Sequence, residues 1–220
     1  METLDSTAGS TTRPGLRERK KQRTRDELLR AAFELFVSQG YEATTVDAIT
    51  ETVGVSQRTF FRYFAGKEEA ALAVQVLTEE HFFEAVRARP AHEPPLEAMR
   101  LAVLEGWDTI SEAIQSAVSI EQYLRMYRVI ESTPVLLAAY LRRAAETEER
   151  FVRLIAEREG LDADTDPRPR VAVALFGGVM RAIERMWGTG EDHSVEAMHA
   201  LTARYLDQLG PALAGNWRTG

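Results

Sequence analysis

Leu28, Ala32, Leu35 and Phe36 recur at intervals of three and four residues and Gly40 closes the run, so the spacing predicts an amphipathic helix with one buried stripe. Thr44, with Asp47 three positions on, has the form of a capping box. It opens a second helix whose Val46, Ile49 and Val53 face inward until Gly54 stops it. Ser56 then caps a third, short helix. Val53-Gly54-Val55-Ser56 has the length and chemistry of the turn in a helix-turn-helix: glycine accepts the bend and the valines seal the angle between helices. After Gly66, a helical pattern through Leu72, Val76, Phe82 and Phe83 runs to about Arg89, where Pro90 and Pro94-Pro95 break it. Further helices are predicted at about 95–116, 119–131, 134–159, 168–188 and 194–213, punctuated by Pro134, Gly160, the DTDPRP segment, the GTGEDH turn and Pro211. No strand pattern and no repeat of solenoid period is visible. The expected fold class is all-α, a three-helix N-terminal unit followed by a larger helical body.

The 220 residues suit two unequal units sharing helices. With no cysteine there is no disulfide frame, thiolate nucleophile or Cys-based metal site, a composition compatible with a reducing cytoplasm. The opening METLDSTAGSTT lacks the apolar region of a secretory signal, and no segment reaches the roughly 20 apolar residues a bilayer demands. Val171 to Met180, VAVALFGGVM, reads as a buried helix. No membrane partner is expected.

Charge changes the picture once it is split along the chain. Residues 1–70 carry 11 basic and 11 acidic side chains, so the net charge of −7 lies wholly beyond them. Between Arg13 and Arg30 there are eight basic residues and three acidic ones. Such a local field attracts phosphate, while an acidic body discourages indiscriminate coating of DNA. Taken alone, the basic run reads equally well as a solvated tail. Residues 1 to about 12 are Ser/Thr/Gly-rich and expected to be disordered. RPGLRERKKQR then forms a basic arm able to become helical as it joins the first helix.

On the third helix, Gln57, Arg58 and Phe61 fall at i, i+1 and i+4 and share an arc of about 100°. Phe60 points elsewhere and is expected to pack under the first two helices. Arg bonds guanine in a fork, Gln pairs with adenine, and an aromatic ring touches the thymine methyl, so three base-reading chemistries occupy one face. Thr45, Thr59, Arg62, Tyr63 and Lys67 flank it with groups suited to phosphate oxygens, and the capping Ser56 is counted with them among the DNA-binding residues. An amphipathic helix with Gln and Arg merely facing water is the plain alternative. The glycine turn, the caps including Ser56, the basic arm and the core stripe together favour the DNA reader.

Enzymatic chemistry finds no support in the sequence. His81, His92, His193 and His199 lack HExxH spacing, no P-loop or GxSxG motif is present, and Glu148-Glu149 read as solvated helix-surface charges. No metal and no cofactor is expected.

The stretches AAFELFVSQGYEATTVDAI and TVGVSQRTFFRYFAGKEEA resemble the N-terminal domain of TetR-type transcriptional repressors, over roughly residues 24–70. The resemblance implies that Thr45 and Lys67 anchor phosphates and that Gln57, Arg58 and Phe61 face bases. Where many members carry tyrosine this chain has Phe61, so a ring hydroxyl bond to phosphate is absent. The resemblance further implies a basic arm (1–22), a DNA-binding domain (23–68) and a ligand-sensing, dimerising body (69–220), with the helix begun by Gly66-Lys67 linking them. It implies a cytoplasmic homodimer whose partners are double-stranded DNA and a small-molecule effector. Met99, Trp107, Tyr123, Met126, Tyr127 and Phe151 are candidates to line a cavity for a flat or long apolar molecule, although apolar stripes are more often ordinary core. Arg125 and Arg128 beside them are candidates for an anionic head group. The basic segment and RTFFRYF also look like the branch of actinobacterial regulators whose bodies bind acyl-CoA-like molecules. The helices at 168–188 and 194–213 are candidates for the dimer interface, because Gly177-Gly178 inside an apolar helix favours close helix approach; an intrachain contact or a kink is the alternative. The reading that remains open beside a ligand-released repressor is an architectural or activating DNA binder without a small-molecule switch.

Overall fold

The computed structural model describes residues 15–192, 194–215 and 217. The expected disordered segment and His193 lie outside them. The described residues form helices and no strand: α1 (Leu16–Gln39), α2 (Val46–Val53), α3 (Gln57–Phe61), α4 (Lys67–Ala71), α5 (Ala73–Ala88), α6 (Pro95–Ala117), α7 (Ile120–Ser132), α8 (Pro134–Glu159), α9 (Pro167–Thr189), α10 (Val195–Leu206) and α11 (Leu209–Leu213). Pro95, Pro134 and Pro167 each occupy a first helical position, where the missing N–H has no partner to lose.

Four boundaries differ from those expected. The basic stretch 16–22 is already helix, continuous with α1, so the border expected after residue 22 falls inside a helix. Thr45 rather than Thr44 caps α2, its hydroxyl accepting from the Ala48 amide at 3.1 Å. Thr44 is buried and donates to the Gly40 carbonyl at 2.8 Å, tying off the preceding turn. The single helix expected after Gly66 breaks at Leu72 (φ −95°, ψ 3°) into α4 and α5. The stretch expected over 194–213 divides after Leu206. Pro211 accounts for that division: inside a continuous helix its ring would press on the Asp207 carbonyl, whereas in the first turn of α11 it is tolerated.

One core runs from the N-terminal helices into the body. Leu28, Phe33 and Phe36 of α1, Ile49 of α2, and Phe60 and Phe64 pack with Ile110, Ile114 and Ala117 of α6 and Met126 and Ile130 of α7. Arg30 Nη1 reinforces the junction by donating to the Ala117 carbonyl at 3.2 Å, where α6 ends. A second core gathers Val86, Met99, Val103, Phe151, Ile155, Val173 and Phe176 between α5, α6, α8 and α9, and a smaller one joins Leu124, Ile183, Trp187 and Met198. Gly177 of α9 faces its own chain, where a Cβ would lie 2.9 Å from Glu148 Oε1, an atom at the end of a side chain free to shift. Gly178 faces open space. No helix among the described residues is long and apolar enough to cross a membrane.

Candidate functional site

The turn before α3 is built as its sequence suggests. Gly54 ends α2 in the left-handed region (φ 72°, ψ 34°), where its amide closes on the Glu51 and Thr50 carbonyls. Ser56 Oγ caps α3 by accepting from the Thr59 amide at 3.3 Å and pairs with Thr59 Oγ1 at 3.1 Å. Five residues make a helix too short to hold itself together, so α3 depends on Phe60, which is 0% exposed and packs against Phe64 with ring centroids 5.4 Å apart. The rotation that buries Phe60 turns Phe61 outward, 52% exposed and edge-on to Phe60.

Gln57, Arg58 and Phe61 thus occupy the outer face of α3, all exposed. Arg58 carries no partner among the described residues and is free for a fork of hydrogen bonds. Gln57 Nε2 donates to Asp47 Oδ1 of α2, a contact the sequence did not suggest, so Gln57 is held in one orientation. Arg62 lies with its guanidinium 4.9 Å over the Tyr63 ring and donates to the Tyr63 hydroxyl at 3.0 Å, forming a stacked polar pair beside the reading face. Thr45 is exposed at the start of α2.

Lys67, the expected phosphate anchor, is engaged within its own chain. Its ammonium lies 4.2 Å over the Tyr41 ring and donates to the carbonyls of Tyr41 (2.8 Å), Thr44 (3.1 Å) and Glu42 (3.4 Å). Three protons meet three acceptors, so Lys67 braces the α1–α2 turn that presents Thr45. Lys67→Met is expected to lower stability by about 1–3 kcal/mol while leaving the salt slope of DNA affinity unchanged; a phosphate contact would reduce that slope by about 1. Urea unfolding and a salt titration of DNA binding measure the two effects.

The body holds a cavity of about 180 Å³ between α5, α6, α7, α8, α9 and α10. Of the residues expected to line it, Met99, Trp107, Tyr123 and Phe151 do. The other three lie elsewhere. Met126 is buried in the core shared with α1, and Tyr127 lies against Gly188 with its hydroxyl on Glu131. Arg125 is exposed and paired with Glu121 one helical turn away, because its position on α7 turns it to solvent. Arg128 donates to the Gly188 carbonyl at 3.1 Å, so neither arginine presents a cation to the cavity.

The cavity's polar groups depart from the sequence reading: Glu79 and Glu184 are absent from it, and Glu148, expected as a solvated surface charge, lines the cavity. Glu184 accepts from the Tyr140 hydroxyl at 3.0 Å, and burial pushes its carboxyl up to about 7. Glu79 takes Arg143 at 2.9 Å and Thr147 at 3.0 Å, and Glu148 takes Arg181. The available signal was Glu184 itself, a carboxylate interrupting the inward stripe of Met180, Ile183 and Trp187 on α9.

The sequence matches two family models. Residues 28–74 match that of the bacterial regulatory proteins of the tetR family, and residues 93–214 match the MftR C-terminal domain. The chain is 46% identical over 213 residues to the HTH-type transcriptional regulator TcmR of Streptomyces glaucescens, covering 97% of this chain and 94% of that one. It is 29% identical over 199 residues to the protein named as mycofactocin biosynthesis transcriptional regulator MftR of Mycobacterium tuberculosis, covering 89% and 93%. Among solved structures the SmeT–triclosan complex shares the fold, with a TM-score of 0.59 at 17% identity over 87% of this chain and 91% of that one. A tetR-type N-terminal domain carrying the helix-turn-helix, a body of the MftR type and near-full-length identity of 46% to a TetR regulator make this chain a member of the TetR family, a DNA-binding transcriptional regulator and not an enzyme.

Proposed function

We propose that the protein is a cytoplasmic homodimeric repressor that leaves a palindromic operator when a small, largely apolar molecule enters the cavity of its body. The observation that carries this reading is the continuity between cavity and reading head. Ile110, Ser111 and Ile114 border the cavity on α6, and one turn further on the same helix receives the Arg30 hydrogen bond from α1. A ligand that displaces α6 therefore acts on the helix against which α2 and α3 are packed. The break at Leu72, where α4 passes from the head into the body, supplies a second joint. A coupling of about 1–3 kcal/mol makes a usable switch. In this reading the division of labour lies near residue 70, with residues 16–22 of α1 adding to the head's positive field.

Dimerisation is supported by α9. Val171 (55% exposed), Ala174, Gly178 and Ala182 share its outer face, and Gly178 has nothing of its own chain within 4 Å of a Cβ position. A stripe of small and apolar residues lets a second copy approach closely, and a two-fold pair reads two half-sites where one short helix reads too few bases. Arg58→Ala is expected to cost about 1–3 kcal/mol of operator affinity at one base position, with binding to unrelated DNA nearly unchanged. Fluorescence anisotropy on an operator and its single-base variants measures this, and a uniform loss on all DNA would instead indicate the architectural binder.

A further inference from the structure

We propose that Asp47 is a specificity-determining positioning residue: by holding the amide nitrogen of Gln57 it leaves the amide oxygen to the DNA, so that α3 selects an amino-bearing base, adenine or cytosine, where Gln57 meets it. The inference rests on the reading of α3 as the base-contacting helix and adds to it a residue of α2 that acts through Gln57.

Asp47 is left over from the capping of α2. With Thr45 as the cap, Ala48 supplies the amide that the threonine hydroxyl receives, and Asp47 falls one position short of the place from which a side chain closes a capping box. Its carboxylate instead crosses to α3, where Oδ1 accepts from Nε2 of Gln57, ten residues on and the first residue of that helix. Both residues are exposed, so burial does not force them together. Gly54 in the left-handed region and the Ser56 cap set the turn that brings the two helices within reach.

The chemistry of the pair admits one arrangement. A carboxylate only accepts, so the glutamine offers its nitrogen to Asp47, and Oε1, which has no partner among the described residues, is the end left free. An unheld glutamine turns its amide over and presents a donor or an acceptor alike. In the major groove adenine N6 and cytosine N4 donate, whereas guanine and thymine present acceptors. A fixed acceptor pairs with the first two and faces the oxygens of the others with no proton between them. Holding the side chain in advance also removes rotamer freedom that binding would otherwise take away.

The carboxylate works against affinity. Asp47 is paired with no cation among the described residues, and beside a face that meets phosphates it repels every sequence alike. A charge of that sign in that place serves selection.

The full-length native protein, Asp47→Asn and Gln57→Ala, each checked for native helicity by circular dichroism, are taken through selection from a library of random DNA duplexes. Anisotropy then gives affinities for the selected duplex and its single-base variants. The native protein is expected to favour adenine or cytosine over guanine or thymine about tenfold at one position of each half-site. Gln57→Ala is expected to level the four bases there. Asp47→Asn, whose amide both donates and accepts, is expected to bring the ratio to about twofold or less, with guanine and thymine gaining, while its lost charge strengthens binding to all duplexes alike. A gain shared equally by every base, or a uniform loss, would mean that Asp47 acts through charge or through the stability of α2, and overturns the inference. A native preference for guanine or thymine there overturns it too, as does a preference lost in Asp47→Asn but kept in Gln57→Ala, which would make Asp47 itself the reader. Levelling by Gln57→Ala alone removes the role of Asp47 and leaves the reading head standing. If Gln57→Ala and Asp47→Asn both select as the native protein does, the reading of Gln57 as a base contact falls and the inference with it.

Discussion

Phe60→Ala is expected to lower the stability of the protein by about 3–5 kcal/mol, a large part of the 5–15 kcal/mol that typically separates folded from unfolded domains. Phe60 is 0% exposed and joins α3 to Phe64 and to the apolar stripe of α1. Deleting its ring removes the one buried anchor of a five-residue helix, and the pocket under α3 cannot close because α1 and α2 are fixed on either side. The neighbouring substitution provides the contrast. Phe61→Ala removes a ring that is 52% exposed, so its effect on stability is expected to stay near 0.5 kcal/mol, while the thymine contact proposed for that ring predicts a loss of DNA affinity of about tenfold. Urea unfolding and operator titration of both variants form a crossed pair. Comparable destabilisation in the two would mean that the ring facing outward is as structural as the ring facing in.

That crossing shows what kind of information the sequence carries. The inward Phe60 and outward Phe61 follow from helical periodicity alone, as do the ends of α6, α8 and α9, which Pro95, Pro134, Gly160 and Pro167 mark. Sequence alone sets the cap of α2 one residue early because Thr44 and Thr45 offer the same hydroxyl; only the buried bond from Thr44 to Gly40 decides which is free to cap. The Asp47–Gln57 and Lys67–carbonyl contacts join elements that periodicity treats separately. In α7 the difficulty is angular. Tyr123 and Met126 lie about 60° apart around the helix, yet the first faces the cavity and the second the core shared with α1. A helix packed between two apolar surfaces shows one broad stripe in sequence, and the split between core and cavity appears only once its neighbours are placed. The same breadth conceals the carboxylate on the inner face of α9.

Glu184→Gln is expected to remove a pH dependence that the native protein shows between about 4.5 and 7. The carboxyl is pushed up to about 7 from an ordinary 4.5 first by burial, and then by Glu79 of α5 and Glu131 of α7, while the Tyr140 hydroxyl of α8 and Arg181 of α9 oppose the rise. Tyr123 and Tyr127 of α7 complete the groups close enough to feel its charge. Since the folded protein holds this proton more tightly than the unfolded chain, stability falls as pH climbs through the window and levels off above about 7. The gap between the two values corresponds to about 3 kcal/mol at most. Glu79, raised for the same reason, adds to the fall. Carboxylates held down by arginine, such as Glu80 and Glu149, act in the opposite sense but at lower pH, below the ordinary carboxylate value. The two effects therefore separate along the pH axis. Urea midpoints at pH 5.5 and 8 should drop for the native protein and stay nearly level for the glutamine variant, which becomes the more stable of the two at pH 8. Parallel curves would show that the Glu184 carboxyl titrates as it does in water and that its burial among α5, α7, α8 and α9 does not raise it.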